Sequence, residues 1–246
     1  MCGIVGIYLK TKKFEKNLGK MLSGMLNNME SRGPDSAGFA IYKDEKEKNY
    51  KYSLCINSLN FNDFKKEITK KIKKPQLNQF SDHIILKTKE KPSKVIEILS
   101  SSFPTVSLVG YGRSIEIFKQ VGKPKDVVKK FKLESFSGTH GIGHTRMATE
   151  SAITTDGSHP YSTGEDECLV HNGSLSNHNN LRRKLSKMGH IFNSENDTEV
   201  AAGYVSNNLS NNKSLKDTLK SGLKDLDGFY TFITGTRKGF AVVRDE

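Results

Sequence analysis

A cysteine stands at position 2, in the opening run Met1, Cys2, Gly3, Ile4, Val5, Gly6, where removal of the initiator methionine makes it N-terminal. A free N-terminal cysteine carries nucleophile and base in one residue, because its thiol attacks while its own α-amino group shuttles the proton. The unperturbed thiol titrates at about 8.5 and the α-amine at about 7.7–8.0, so both sit near working pH without a separate histidine base. The plain alternative is a small buried hydrophobe that opens a strand, the usual fate of a free cysteine. Only distant residues can decide between the two.

The densest chemistry lies between residues 138 and 199. Arg146 and Thr149 sit in GHTRMATE, His159 and Pro160 follow in a loop, His171, Asn172 and Gly173 end a strand-like run, and Asp197 lies in SENDTEV before a helix. Each has an ordinary reading: Arg146 a surface cation, Asn172-Gly173 a turn, Asp197 a helix cap. Together they are the parts of an amidase site for an amino-acid amide. An asparagine side-chain amide beside a glycine N–H offers two donors to a tetrahedral oxyanion. A zwitterionic substrate needs a cation for its α-carboxylate and an anion for its α-ammonium, roles open to Arg146 and Asp197. Arginine adds a planar fork for a carboxylate that lysine lacks.

Positioning these residues is the task of the surrounding elements. Residues 2–9 read as a short buried strand, and residues 14–29 place Phe14, Leu18, Met21, Leu22, Met25, Leu26 and Met29 on one helical face. The loop from Ser31 to Ser36 leads into a strand from Ala37 to Tyr42. From about 50 to 102 the pattern alternates strand and helix (YKYSLCI, NDFKKEITKKI, HIILKT, PSKVIEILSS), as expected of a small inserted α/β lobe. Strands at Thr105–Val109 and Ser114–Phe118 resume the main body, and a basic helix follows from Pro124 to Phe131. Helical stripes at 199–209 and 215–226 precede a final hairpin, FYTFITG and FAVVRD around TRKG. The order predicts an α+β body with a mainly antiparallel sheet.

Composition limits what the chain can be. Its 246 residues can bury a large core, and with 35% hydrophobic and 27% charged residues it reads as a globular chain with no membrane helix or signal peptide, hence as cytoplasmic. Cys2, Cys55 and Cys168 form neither a disulfide framework nor a metal-binding CxxC pattern. The net charge of +12 comes from the first 134 residues, where 27 Lys and Arg face 14 Asp and Glu; the remainder holds 12 against 13. Most of that excess is lysine in helix-like stretches, with seven arginines in the whole chain and few interleaved aromatics, so a solvated surface is expected rather than nucleic-acid binding.

CGIVGI, SRGPDSAG, GIGHTRMATE, the later HP, VHNG and SENDTEV occur in the order that resembles the class II glutamine amidotransferases, members of the N-terminal nucleophile hydrolases. The resemblance spans nearly the whole chain, as one amidotransferase domain over 2–246. Its finer features, the inserted lobe and YGRSIEIFKQVGKP among them, are most similar to stand-alone glutaminase subunits of glutamate-synthase-like and N-methylglutamate-synthase-like systems.

That resemblance implies a four-layer αββα fold and hydrolysis of L-glutamine to glutamate and ammonia. By position, Cys2 is the implied nucleophile, Asn172 and Gly173 the oxyanion hole, Arg146 with Thr149 and His159 the α-carboxylate site, and Asp197 the α-ammonium site. Arg32 and Gly33 are implied to line the nucleophile's side of the pocket, while His144 and His171 are read as scaffold and Asp35 as a brace for its loop. No metal or cofactor is implied in this chain. Ammonia is implied to pass to a partner synthase subunit, flavin (FMN)-dependent if the finer resemblance holds. The family pattern also implies further strands beyond Glu246. Met147 stands where hexosamine-forming relatives carry Trp, which argues against a sugar-phosphate aminotransferase. The alternatives are the glutaminase part of an amidophosphoribosyltransferase-like or asparagine-synthetase-like enzyme, and a non-catalytic partner-binding subunit.

Overall fold

The computed structural model describes residues 2–43, 48–57, 59–148 and 152–245. The chain runs β1 (Gly3–Tyr8), α1 (Leu18–Asn28), β2 (Ser36–Tyr42), β3 (Tyr50–Cys55), α2 (Phe61–Lys71), β4 (Gln76–Phe80), β5 (His83–Thr88), α3 (Pro92–Ser102) and β6 (Ser107–Gly112). It continues through β7 (Ile115–Val121), α4 (Pro124–Lys130), β8 (His140–Arg146), β9 (Cys168–Leu175), α5 (His178–Lys187), α6 (Asp197–Ser210), α7 (Leu215–Asp225), β10 (Gly228–Thr236) and β11 (Gly239–Arg244).

Two antiparallel sheets face each other, one in the order β1-β8-β2-β7 and one in the order β11-β10-β9. Between them lie Ala40, Tyr42, Ile142, Cys168, Val170 and Ile233, with Ile4 and Phe240 against this layer. The outer face of the first sheet is covered by α1 and α4 through Leu18, Leu22, Leu26, Phe39, Phe118 and Phe131. The outer face of the second is covered through Val200, Tyr204, Val205 and Leu219 against Leu169, Tyr230 and Phe232. Each fully buried Leu or Phe contributes roughly 1.5–3 kcal/mol, and the layering lets every element bury one face. This is the four-layer αββα sandwich expected from the sequence.

Strand β8 explains how one strand can serve two layers. Successive side chains on a strand point to opposite faces. Gly141 and Gly143 lie under α1, where an added Cβ would come 3.0 Å from Leu22 and 2.9 Å from Leu26. His140, Ile142, His144 and Arg146 have the opposite parity: His140 Nε2 meets the Thr236 carbonyl at 2.8 Å and His144 Nε2 the His171 carbonyl at 2.9 Å, both on the second sheet. The glycines let the helix close down on one face while the other presents polar side chains to β9 and β10.

A third sheet, β4-β5-β3-β6, carries α2 and α3 and has its own core of Tyr52, Leu54, Phe64, Ile68, Leu86 and Val95. The expected boundary at 102 is corrected here. Strand β6 does not return to the main body but pairs with β3, from Cys55↔Ser107 to Lys51↔Gly112, so the lobe's sheet runs to Gly112. The strand that opens the lobe is thereby closed by the one that leaves it. Near the N-terminus, residues 12–17 form a 3-10 turn with no buried residue, and the α-helix starts only at Leu18.

Candidate active site

Cys2 stands just before β1, half-buried, its Sγ donating to the Met147 carbonyl at 3.9 Å. Glycine must follow it, because a Cβ at position 3 would lie 2.7 Å from Thr145 Oγ1 and 2.8 Å from Met29 Cβ. Arg32 Nε donates to the Cys2 carbonyl at 3.3 Å. Gly33 presses on the backbone of β8, where a Cβ would sit 2.3 Å from the Thr145 carbonyl carbon. Arg32 and Gly33 thus hold the chain behind Cys2; neither is among the residues lining the cleft in front of it. Asp35 ties the same loop down, its N–H donating to the Arg146 carbonyl at 3.0 Å and its carboxylate accepting from Ala148 N at 2.8 Å.

In front of Cys2 opens a cleft of about 370 Å³, lined by Cys2, Arg146, Met147, His159, His171, Gly173, Ser174 and Asp197 together with His178, Phe229 and the first residues of α6. Arg146 ends β8 and is 4% exposed, with Nη1 donating to the Ala152 carbonyl at 3.3 Å. His159 is carried by a loop that buried Lys119 fastens: its ammonium donates to the carbonyls of Asp156 at 3.0 Å and Ser158 at 2.9 Å. Burial pulls that lysine down to about 8. Thr149 lies outside the described residues.

Asp197 is the first residue of α6 but not its cap. The adjacent Asn196 caps the helix, its side chain accepting from Thr198 N at 2.9 Å, which leaves the Asp197 carboxylate for the cleft. Oδ2 accepts from Leu175 N at 2.8 Å. Burial pushes this carboxyl up, but His171 beside it and the Leu175 N–H outweigh that, and it stays ionised below its ordinary range.

Gly173 adopts φ +140°, and a Cβ there would lie 2.0 Å from the Phe229 carbonyl. It faces Tyr230 across the ladder, and the Tyr230 carbonyl turns the other way, to Asp245 N at 3.0 Å. The pair is therefore a non-hydrogen-bonded one, and Gly173 N–H is turned to the open edge of β9. Its neighbours of like parity use that edge: His171 through its carbonyl to His144, Leu175 through its N–H to Asp197. Asn172 has the parity of Cys168 and Val170, whose side chains fill the layer between the sheets. It is half-buried beside the cleft, and the β9 wall of the cleft is formed by His171, Gly173 and Ser174.

Histidine 144 and His159 stack at 3.8 Å between ring centroids, both buried. Burial drives His144 down to about 3 despite its bond to the His171 carbonyl, and drives His159 well below its ordinary value, with the neighbouring His144 and His171 adding to the effect. Both rings are therefore neutral at neutral pH. For a metal, Cys55, Asp82 and His83 in the lobe bring three donor atoms within 4.8 Å of one another. Lys130 Nζ, 2.9 Å from Asp82 Oδ2, already places a cation there.

His171, expected from the sequence as scaffold, forms a cleft wall, and Ser174, His178, Glu195, Asn196, Thr198 and Phe229 line the cleft without standing out in the sequence; all but Phe229, on β10, lie within or close to the VHNG and SENDTEV motifs.

Compared with known proteins, residues 144–246 match the family model described as a glutamine amidotransferase domain. The whole chain aligns at 48% identity with 82% of the glutamine amidotransferase-like protein GlxB of Rhizobium meliloti (strain 1021). The chain belongs to the class II glutamine amidotransferases. Within that family, 46% of the chain is 37% identical to 18% of a glutamine–fructose-6-phosphate aminotransferase of Pseudomonas putida (strain KT2440). Among solved structures, the glutamine phosphoribosylpyrophosphate amidotransferase of B. subtilis overlays on 99% of the chain with a TM-score of 0.54 at 20% identity, a likeness of fold. The chain spans about a third of that enzyme, 36%. As an amidotransferase domain, the sandwich is entered at the end where β1, β8 and β9 meet. Among the described residues no helix is long and apolar enough to cross a membrane.

Proposed function

We propose that this amidotransferase hydrolyses L-glutamine to glutamate and ammonia at Cys2 and delivers the ammonia to a partner synthase subunit. One observation carries the reading: Cys2, a buried arginine and an ionised aspartate line the same cleft. That is a nucleophile with one charge for each end of an amino acid. Arg146 would take the α-carboxylate beside the loop that carries His159, Asp197 the α-ammonium, and the side-chain amide would lie against Cys2.

With Met1 removed, the Cys2 thiol passes its proton to its own α-amine and attacks the amide carbon. The oxyanion is held by Gly173 N–H at the open edge of β9, with the Asn172 amide as second donor. The α-ammonium returns the proton to the leaving nitrogen, ammonia departs, and water hydrolyses the γ-glutamyl thioester to release glutamate. The acceptor chemistry would reside on a separate synthase chain, FMN-dependent if the resemblance to glutamate-synthase-like systems extends so far. A relative that shares the whole of this chain within a protein only somewhat longer supports a stand-alone subunit.

The test is ammonia and glutamate release from L-glutamine by the purified protein, with Cys2→Ala and Cys2→Ser as controls and intact mass to read the N-terminus. The expected result is turnover by the Met1-processed wild type and none by Cys2→Ala. Full activity with Met1 retained would exclude the N-terminal nucleophile.

A further inference from the structure

Three buried side chains in the wall of the cleft meet at one hydroxyl. Thr198 Oγ1 lies 2.8 Å from His159 Nε2, 2.9 Å from His171 Nδ1 and 3.3 Å from Asp197 Oδ1. Thr198, His159 and His171 are 1%, 4% and 3% exposed. They come from three separate parts of the chain: the loop before Pro160, strand β9, and the first turn of α6.

A hydroxyl has one proton to give and two lone pairs to receive. If Thr198 gave its proton to either histidine, that ring's own proton would move to its other nitrogen, His159 Nδ1 or His171 Nε2. Both are buried and meet no protein partner among the described residues. A buried N–H without an acceptor is costly, whereas the same nitrogens as bare lone pairs donate nothing. The arrangement that avoids orphaned protons has both rings donating to Thr198 Oγ1 and Thr198 donating to Asp197. A hydrogen bond to an ionised carboxylate is also the stronger one. Asp197, which lines the cleft, is then held at Oδ1 by Thr198, with His171 Nδ1 3.7 Å away, and at Oδ2 by Leu175 N.

We infer that Thr198 is a positioning residue for the α-ammonium subsite: the two histidines commit its only proton to Asp197 and so fix the carboxylate that receives the substrate's amine. The inference rests on the glutaminase reading of the cleft and names how one subsite of it is aimed. It makes Thr198 matter for ligands that carry an α-ammonium and not for those that lack one.

L-glutamate and glutarate differ by that group alone. Calorimetric titration of each into wild type, Thr198→Val, Thr198→Ser and Thr198→Cys reads the effect without turnover, alongside KM and kcat for glutamine. Thr198→Val keeps the shape and removes the hydroxyl; L-glutamate affinity is expected to fall about tenfold and KM for glutamine to rise about as much, with kcat within about threefold and glutarate affinity unchanged. Thr198→Ser is expected to recover most of the L-glutamate affinity. Should Thr198→Val not fold, Thr198→Cys, with its weaker donor, is expected to give an intermediate, glutamate-selective loss. Equal loss for both ligands, or no recovery in Thr198→Ser, would overturn the positioning role while leaving the glutaminase reading intact. A wild type that releases no ammonia from glutamine and binds neither ligand would instead overturn that reading, and this inference with it.

Discussion

Lys51 on β3 of the lobe and Glu116 on β7 of the sandwich form an ion pair at 3.3 Å with their side chains 2% and 4% exposed. Lys43 adds a second ammonium at 3.0 Å from the same carboxylate. Burial alone would push Glu116 up, and the two lysines outweigh it and keep the acid ionised. The lobe is thus fastened to the sandwich through a buried carboxylate that takes one lysine from the lobe and one from just after β2.

Breaking such a pair from one side leaves an uncompensated buried charge. Glu116→Gln is expected to cost about 3–5 kcal/mol, read as a lower urea midpoint, whereas Lys51→Met with Glu116→Leu is expected to restore most of it. A midpoint unchanged in Glu116→Gln would mean that the pair does not hold the lobe.

Gly173 gives a prediction on catalysis. Alanine cannot hold φ +140° without strain and would collide with the Phe229 carbonyl, so Gly173→Ala must shift the N–H aimed along the edge of β9. The expected result is a fall in kcat of about 10²–10³, the usual loss for one oxyanion donor. A native melting curve with kcat within twofold of wild type would place the oxyanion elsewhere.

The stacked histidines predict an acid limb of stability. In the folded chain His144 stays neutral down to about pH 3, while in the unfolded chain it protonates near its ordinary value. The unfolded state therefore binds more protons between about pH 6.5 and 3, and stability falls as pH falls through that window, by up to about 1.4 kcal/mol per pH unit. His159 acts in the same direction. His144→Gln is expected to flatten the slope of urea midpoint against pH between pH 6.5 and 4.5; a slope equal to wild type would show the ring to be charged in the fold.

Glu167 works in the opposite sense. Burial pushes it up to about 7, with Asp166 and Glu165 adding and a bond to Ser206 opposing. The fold keeps this proton after the unfolded chain has lost it, so its contribution is full below the ordinary glutamate range and is lost as pH rises through about 7. Glu167→Gln is expected to be more stable than wild type at pH 8 by on the order of 1–3 kcal/mol and no more stable at pH 4.5. Identical melting curves at pH 8 would refute it.

Much of this was legible in the chain because its signals are local. The alternation of β8, the apolar stripe of α1 and the turn residues of the last hairpin each occupy one short window, and the structure places Cys2, Arg146, His159, Gly173 and Asp197 on one cleft. What escaped depends on partners far away in sequence. Strand β4 is a polar, largely exposed edge whose pairing with β5 alone makes it a strand, and α5 fully buries only Leu185 among its arginines and lysines. The end of the lobe hung on which strand β6 would join. The meeting of residues 159, 171 and 198 at a single hydroxyl has no spacing rule to betray it, since each looks like an ordinary loop, strand or helix residue on its own.

A slip of β8 by one residue against β1 and β2 would exchange its two faces. Imidazoles and a guanidinium would then be driven under α1, where even a Cβ would press on the Leu22 and Leu26 methyls at 3.0 and 2.9 Å, and glycines would face the cleft. The register that seats α1 on the glycines of β8 is therefore the same one that turns Arg146 to the cleft, so the packing of that helix and the aim of that side chain cannot be altered separately.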